Sequence, residues 1–130
     1  MTPALGGLQH VSLETRRDAV EAEVAFWALL GFSVVEPPSS LRDRATWVQA
    51  PDGVSQIHLL HAPDPVAPPR GHVAIVAPAL EETAAALRDA GFAVEPRTPH
   101  WGAARAYVRS PGGHRVELMA FAPTDARAGG

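Results

Sequence analysis

Gly112-Gly113-His114-Arg115-Val116-Glu117-Leu118-Met119 is the stretch on which the fold turns. Pro111-Gly112-Gly113 ahead of it is a turn signal, and the alternation that follows is that of a strand. Val116 and Leu118 belong to one face; Arg115, Glu117 and Met119 belong to the other. A carboxylate between two apolar neighbours must find a partner or stay wet. Three histidines occupy the same kind of position. His10-Val11-Ser12-Leu13, Ile57-His58-Leu59 and His72-Val73-Ala74-Ile75 are each short apolar runs carrying one imidazole.

These runs are copies of one another. His10-Val11-Ser12-Leu13 matches His72-Val73-Ala74-Ile75, and Gly31-Phe32 matches Gly91-Phe92. Pro51-Asp52-Gly53 matches Pro111-Gly112-Gly113, and Ile57-His58-Leu59 matches Val116-Glu117-Leu118. The offsets are 62, 60, 60 and 59 residues. Four landmarks in register make an internal duplication.

Each half reads β-α-β-β-β. In the first, strands are expected at Leu8–Leu13, Phe32–Val35, Ala45–Gln49 and Ser55–His61. A helix over Arg17–Leu30 carries Val20, Val24, Trp27 and Leu30 at helical spacing and ends at Gly31. Ser39–Arg44 reads as a polar loop. Ala62–Gly71 holds four prolines and reads as an extended linker. In the second half, strands are expected at Gly71–Val76, Phe92–Glu95, Arg105–Arg109 and His114–Phe121, with a helix over Leu80–Ala90. Thr124–Gly130 reads as a frayed tail. The expected fold class is α+β: two βαβββ modules forming a paired-module half-barrel with a concave metal-binding cleft. One domain spans 1–130, with module 1 about 7–63, the linker 62–71 and module 2 about 71–122. The faces carrying Val11, Leu13, Ile57, Leu59, Val73, Ile75, Val116 and Leu118 are expected to meet the helices, and the opposite faces to line the cleft.

Composition narrows the function classes. The chain has 130 residues, 46% hydrophobic and 19% charged, with net charge -3, which suits one globular domain and gives no electrostatic reason to expect nucleic acid. Cysteine is absent, so thiolate nucleophiles, disulfides and Cys metal sites are excluded. All 11 basic residues are arginine, which excludes a lysine Schiff base. There is no signal-peptide pattern and no apolar run near the ~20 residues of a membrane span; the expectation is a cytoplasmic protein with a small-molecule substrate.

The duplication makes His10 equivalent to His72 and His58 equivalent to Glu117. Imidazole and carboxylate donors suit iron, zinc, nickel or manganese, and two His plus one carboxylate form the facial triad of non-haem Fe(II) enzymes. His10, His72 and Glu117 supply that set; His58 is either a fourth ligand or a general acid/base beside the ion. A lone His in a strand is more often a hydrogen-bonded, half-buried residue, so the reading rests on all four positions together. His61 and His114 break the repeat and read as surface or rim residues. Trp27 lies on the helix stripe and reads as core.

The doubled module, the His-Val-x-[Leu/Ile] strand starts and the Pro-x-Gly-x-x-x-Glu-Leu ending resemble the vicinal oxygen chelate superfamily over about Leu8 to Phe121. That superfamily includes glyoxalase I, extradiol ring-cleaving dioxygenases, methylmalonyl-CoA epimerase, and the fosfomycin- and bleomycin-resistance proteins. Thr98-Pro99-His100, Tyr107, Ser110-Pro111-Gly112-Gly113 and Glu117 are similar to the extradiol dioxygenase signature, with departures at Ala106 and Ser110. This resemblance implies Fe(II) on His10, His72 and Glu117, His58 as acid/base near bound dioxygen, and His100 and Tyr107 as contacts to the catecholate oxygens. His100 reads equally as part of a loop plugging the cleft. A glyoxalase- or epimerase-like reading uses Zn, Ni, Co or Mn with His58 as fourth ligand. A resistance-type binding protein needs an aromatic-lined cleft, for which Trp47, Trp101 and Tyr107 are candidates, with Arg105 as a further lining residue. Small members of the superfamily imply a homodimer, with modules paired within a chain or exchanged between chains.

Overall fold

A computed structural model describes residues 3–124; the tail expected at Thr124–Gly130 lies, beyond Thr124, outside the described residues. The chain divides into two compact units between Val66 and Ala67, inside the proline-rich segment. Each proline lacks an N–H and fixes its own φ, so the segment joins no sheet.

The first unit runs β1 (His10–Thr15), α1 (Val20–Leu29), β2 (Ser33–Val35), β3 (Ala45–Gln49) and β4 (Gln56–His61). Its four-stranded sheet has the order β1-β4-β3-β2. β1 and β4 are parallel; β4 with β3 and β3 with β2 are antiparallel. The second unit repeats this with β5 (His72–Val76), α2 (Leu80–Asp89), β6 (Glu95–Arg97), β7 (Arg105–Arg109) and β8 (Arg115–Met119). Its order is β5-β8-β7-β6, with β5 and β8 parallel and the other pairs antiparallel. The α+β class and the two βαβββ modules expected from the sequence are therefore present.

The differences are local. Arg17–Ala19 is a 3-10 turn, and the α-helix starts at Val20. The polar loop contains a 3-10 turn at Ser39–Leu41. β6 lies three residues later than expected because Phe92 is used by the helix end: its N–H donates to Leu87 O at 3.0 Å. Gly91, at φ 95°, supplies the left-handed residue that this ending requires. Pro96 is accommodated because β6 is the edge of its sheet. The last strand is shorter than expected, Arg115–Met119 rather than His114–Phe121.

The buried stripe of α1 also differs from the expected one. Glu23, Phe26 and Trp27 face inward, whereas Val20, Val24 and Leu30 are half-buried. Trp27 is core, as expected, and meets Phe26 and Phe32 edge-on at 5.4 and 5.2 Å. Its indole N–H donates to Glu23 Oε2 at 3.2 Å, which gives the buried acid the partner it needs. Along α2, Leu80, Ala84 and Leu87 form the buried stripe. Ile57 and Leu59 of β4, and Val116 and Leu118 of β8, are the buried apolar side of each sheet. No helix among the described residues is long and apolar enough to cross a membrane.

Candidate functional site

Strand alternation leaves the polar residues of each unit on the sheet face opposite the buried apolar one. In the second unit, Glu117 of β8 pairs with Tyr107 of β7 on one side and Ala74 of β5 on the other. His72 reaches Glu117 from β5: its Nε2 lies 3.0 Å from Oε1. The other ring nitrogen, Nδ1, lies 2.9 Å from Arg70 O. A carbonyl only accepts, so Nδ1 carries a proton toward Arg70 O; the ionised carboxylate also only accepts, so Nε2 bonds to it by donating a proton of its own. Arg105 holds the second carboxylate oxygen, with Nε donating to Oε2 at 3.0 Å, and its Nη1 donates to Thr98 O. Burial by itself would push the Glu117 carboxyl up, but the hydrogen bonds and positive charge of Arg105 and His72 outweigh it. They hold Glu117 below its ordinary value. The same contact raises Arg105.

In the first unit the repeat-equivalent face has a different chemistry. Trp47 of β3 lies directly opposite His58 of β4, and His10 of β1 is its diagonal neighbour. The three rings form one stack. His10 and His58 centroids are 3.9 Å apart with planes at 14°; Trp47 and His58 are 4.0 Å apart at 4°. His58 Nε2 lies 2.8 Å from Gln56 Oε1, and His10 Nδ1 lies 2.7 Å from Gln9 Oε1. His58 is buried, and that burial, with the nearby His10, lowers its pKa and favours the neutral imidazole.

The remaining candidates fall as follows. Tyr107 is half-buried, its ring 5.5 Å from that of His72. Trp101 is half-buried and donates to Phe121 O at 2.8 Å, with Arg105 over its ring at 5.2 Å. His100 is exposed on the turn closed by the Gly102 N–H to Pro99 O bond. His114 is buried, not at the rim, because the Ser110–Gly113 turn folds it inward: its N–H donates to Ser110 Oγ at 3.1 Å. His61 is half-buried between Thr46 Oγ1 and Asp43 O. Arg105, a candidate lining residue, is chiefly the ion-pair partner of Glu117. Alternation places Arg105 and Tyr107 on one face of β7, and the register of β7 with β8 brings Glu117 to that same face.

The sequence profile of the glyoxalase/bleomycin resistance protein/dioxygenase superfamily matches residues 7–118. The chain belongs to this superfamily. Solved structures with the same fold include a protein assigned to the glyoxalase family from Bacillus anthracis, 23% identical, covering 92% of this chain and 98% of that one at TM-score 0.80. TnmS3, an antibiotic binding protein from Streptomyces sp. CB03234, is 20% identical over 91% of this chain and 98% of its own, at TM-score 0.71. Lactoylglutathione lyase from Agrobacterium tumefaciens is 19% identical over 90% and 95%, at TM-score 0.67. No curated protein matches in sequence.

Superfamily membership raises the question of a divalent ion, and the donors can be tested against one. The His72–Glu117 pair fits: two ligands at about 2.1 Å in adjacent positions stand about 3.0 Å apart. The Arg70 carbonyl and Arg105 orient them from behind, the usual arrangement around a ligand imidazole and carboxylate. The His10–His58 pair, as stacked, does not aim at one point, because imidazole lone pairs lie in the ring planes and these planes are nearly parallel. His10 is exposed, and its stacking on His58 and its contact with Gln9 Oε1 hold it in this orientation. In neither unit, among the described residues, do three His, Asp or Glu side chains converge on one point.

Proposed function

We propose that this superfamily member is a divalent-metal-dependent enzyme acting on a small molecule with adjacent oxygens, and that its reaction is extradiol-type ring cleavage of a catechol-like diol with Fe(II). The observation that supports this is the His72–Glu117 pair, 3.0 Å apart and oriented by Arg70 O and Arg105, with the Tyr107 ring 5.5 Å from His72. The ion, when bound, would supply Lewis acidity and neighbouring positions for the two diol oxygens. Glu117 keeps one oxygen on Arg105 and offers the other. Tyr107, beside His72, orients the diol. His58, favoured as neutral imidazole, accepts a proton from it. His10 is the third ligand in this reading, and His100 a contact to the diol oxygens. A homodimer is the proposed assembly, checked by sedimentation.

The test is metal analysis of untagged protein followed by oxygen uptake with catechol. The reading expects one iron per chain, consumption of dioxygen into the ring-opened product, and loss of iron in Glu117→Ala and His72→Ala. Full metal occupancy in Glu117→Ala would remove the site. Bound zinc, nickel, cobalt or manganese, with solvent proton exchange and no oxygen uptake, would move the assignment to a lyase or epimerase. The His10–His58–Trp47 stack favours a second reading, a binding protein for a flat aromatic molecule. It predicts ligand-induced change in Trp47 fluorescence in protein stripped of metal.

A further inference from the structure

We propose that Gln56 is a positioning residue that fixes His58 in one tautomer, with the proton on Nε2 and the lone pair on Nδ1, and that Gln49 holds Gln56 in the orientation this requires. Nδ1 is then the atom that accepts a proton from the diol. That role rests on the proposed function; the tautomer itself does not.

His58 can react only at the edge of its ring. In the strand order β1-β4-β3 it lies between His10 and Trp47, which cover its two faces at 3.9 and 4.0 Å. The two ring nitrogens are then unlike. Nε2 is bonded to Gln56 Oε1 at 2.8 Å. Nδ1 has no hydrogen-bond partner among the described residues, yet it is not sealed from solvent. A buried residue therefore keeps one bare nitrogen within reach of a small molecule.

The amides explain which nitrogen that is. Gln56 and Gln49 are direct partners across β4 and β3, on the face that carries His58. Gln56 Nε2 donates to Gln49 Oε1 at 2.9 Å, which turns Gln56 Oε1 toward the imidazole. An amide oxygen only accepts, so His58 donates from Nε2, and in a neutral imidazole the other nitrogen is the acceptor. The opposite tautomer would set two lone pairs against each other and forfeit the bond of a buried atom. Such a loss biases the ratio of tautomers roughly tenfold or more.

The duplication provides an internal control. Gln49 and Gln56 correspond to Arg109 and Arg115, which are also direct partners. A guanidinium cannot accept a hydrogen bond, and Arg109 donates instead to Gly113 O and Pro69 O at 2.8 and 3.2 Å. The residue corresponding to His58 is Glu117, a carboxylate with no tautomer to fix. The sheet keeps the pairing in both copies, but the amide relay occurs only beside the imidazole.

The test uses full-length, metal-stripped protein labelled with nitrogen-15 in histidine, in alkaline solution where the ring is neutral. Long-range proton–nitrogen correlations distinguish a protonated ring nitrogen from a bare one, and His58→Gln assigns the His58 ring by its absence. The parent should show a protonated Nε2 and a bare Nδ1. Gln49→Glu should keep this pattern, because a carboxylate also only accepts. Gln49→Lys should reverse it, because an ammonium only donates and turns Gln56 Oε1 away from His58. In Gln56→Leu the two nitrogen shifts should converge, as the ratio of tautomers falls roughly tenfold. An unmoved Trp47 indole resonance shows in each variant that the stack persists. A protonated Nδ1 in the parent would overturn the proposal, as would parent-like shifts in Gln49→Lys or Gln56→Leu. Neither metal nor substrate is present, so absence of oxygen uptake would leave this result standing, and failure here would leave the iron content unchanged.

Discussion

Arg105 Nε lies 3.0 Å from Glu117 Oε2, and both side chains are only 8% exposed. A buried carboxylate is costly without a counter-charge, so this contact explains how an acid can stand between Val116 and Leu118 in a buried strand. It also leaves the other oxygen, Oε1, for His72.

Arg105→Gln should lower stability strongly. Removing one partner of a buried pair costs about 3–5 kcal/mol, because the remaining charge is stranded. The loss should appear in urea unfolding as a lower midpoint with unchanged slope. Arg105→Gln/Glu117→Gln should recover most of it. A single variant as stable as the parent would show that the pair contributes nothing.

Acid should weaken the fold through Glu117. Its folded pKa lies below the ordinary value of 4.5, so its contribution is complete above that value. It is lost as pH falls through the depressed folded one. The difference in unfolding free energy between parent and Glu117→Gln, measured in chelator, should be flat above pH 4.5 and shrink below it. A difference that grows in acid would reverse the sign.

His58 should titrate below the ordinary 6.5, since burial and then the neighbouring His10 oppose its charged form. In His10→Gln the midpoint should rise only part of the way, because burial, the larger cause, remains. Histidine ring NMR across the pH range reads both values. A midpoint in His10→Gln that reached 6.5 would assign the whole effect to the second imidazole.

Gly31 and Gly91 are repeat partners that end the two helices at φ 88° and 95°. A Cβ at Gly91 would meet nothing within 4 Å, whereas at Gly31 it would lie 2.9 Å from Pro51 Cγ. Gly91→Ala should therefore cost only the left-handed backbone term, about 1–2 kcal/mol. Gly31→Ala should cost more, because the proline ring must also shift. Thermal unfolding of the two variants side by side decides it; equal losses would mean that Pro51 yields freely.

Much of this architecture is legible without coordinates because period-2 alternation, turn glycines and a repeat of about sixty residues are local signals. Gly31-Phe32 and Gly91-Phe92 mark both helix ends, and the four proposed ligand positions fall on equivalent strands. Local signals fail where two patterns compete. Phe92 has the composition of a strand residue but closes the helix, and Glu23 has the charge of a surface residue but lies beneath Trp27. His114 is inside because a turn carries it there, which alternation cannot anticipate.

Alternation in the sequence determined which residues share a face: His10 with Ser12, His58 with Gln56, and Arg105 with Tyr107 and Arg109. It did not determine neighbours across strands, because those depend on register. Only the tertiary structure decided that Arg105 meets Glu117 diagonally, that Trp47 stacks directly on His58, and that Arg97 and Arg115 reach the same phenol ring. A shift of two residues in pairing would preserve every apolar face and change every one of those contacts.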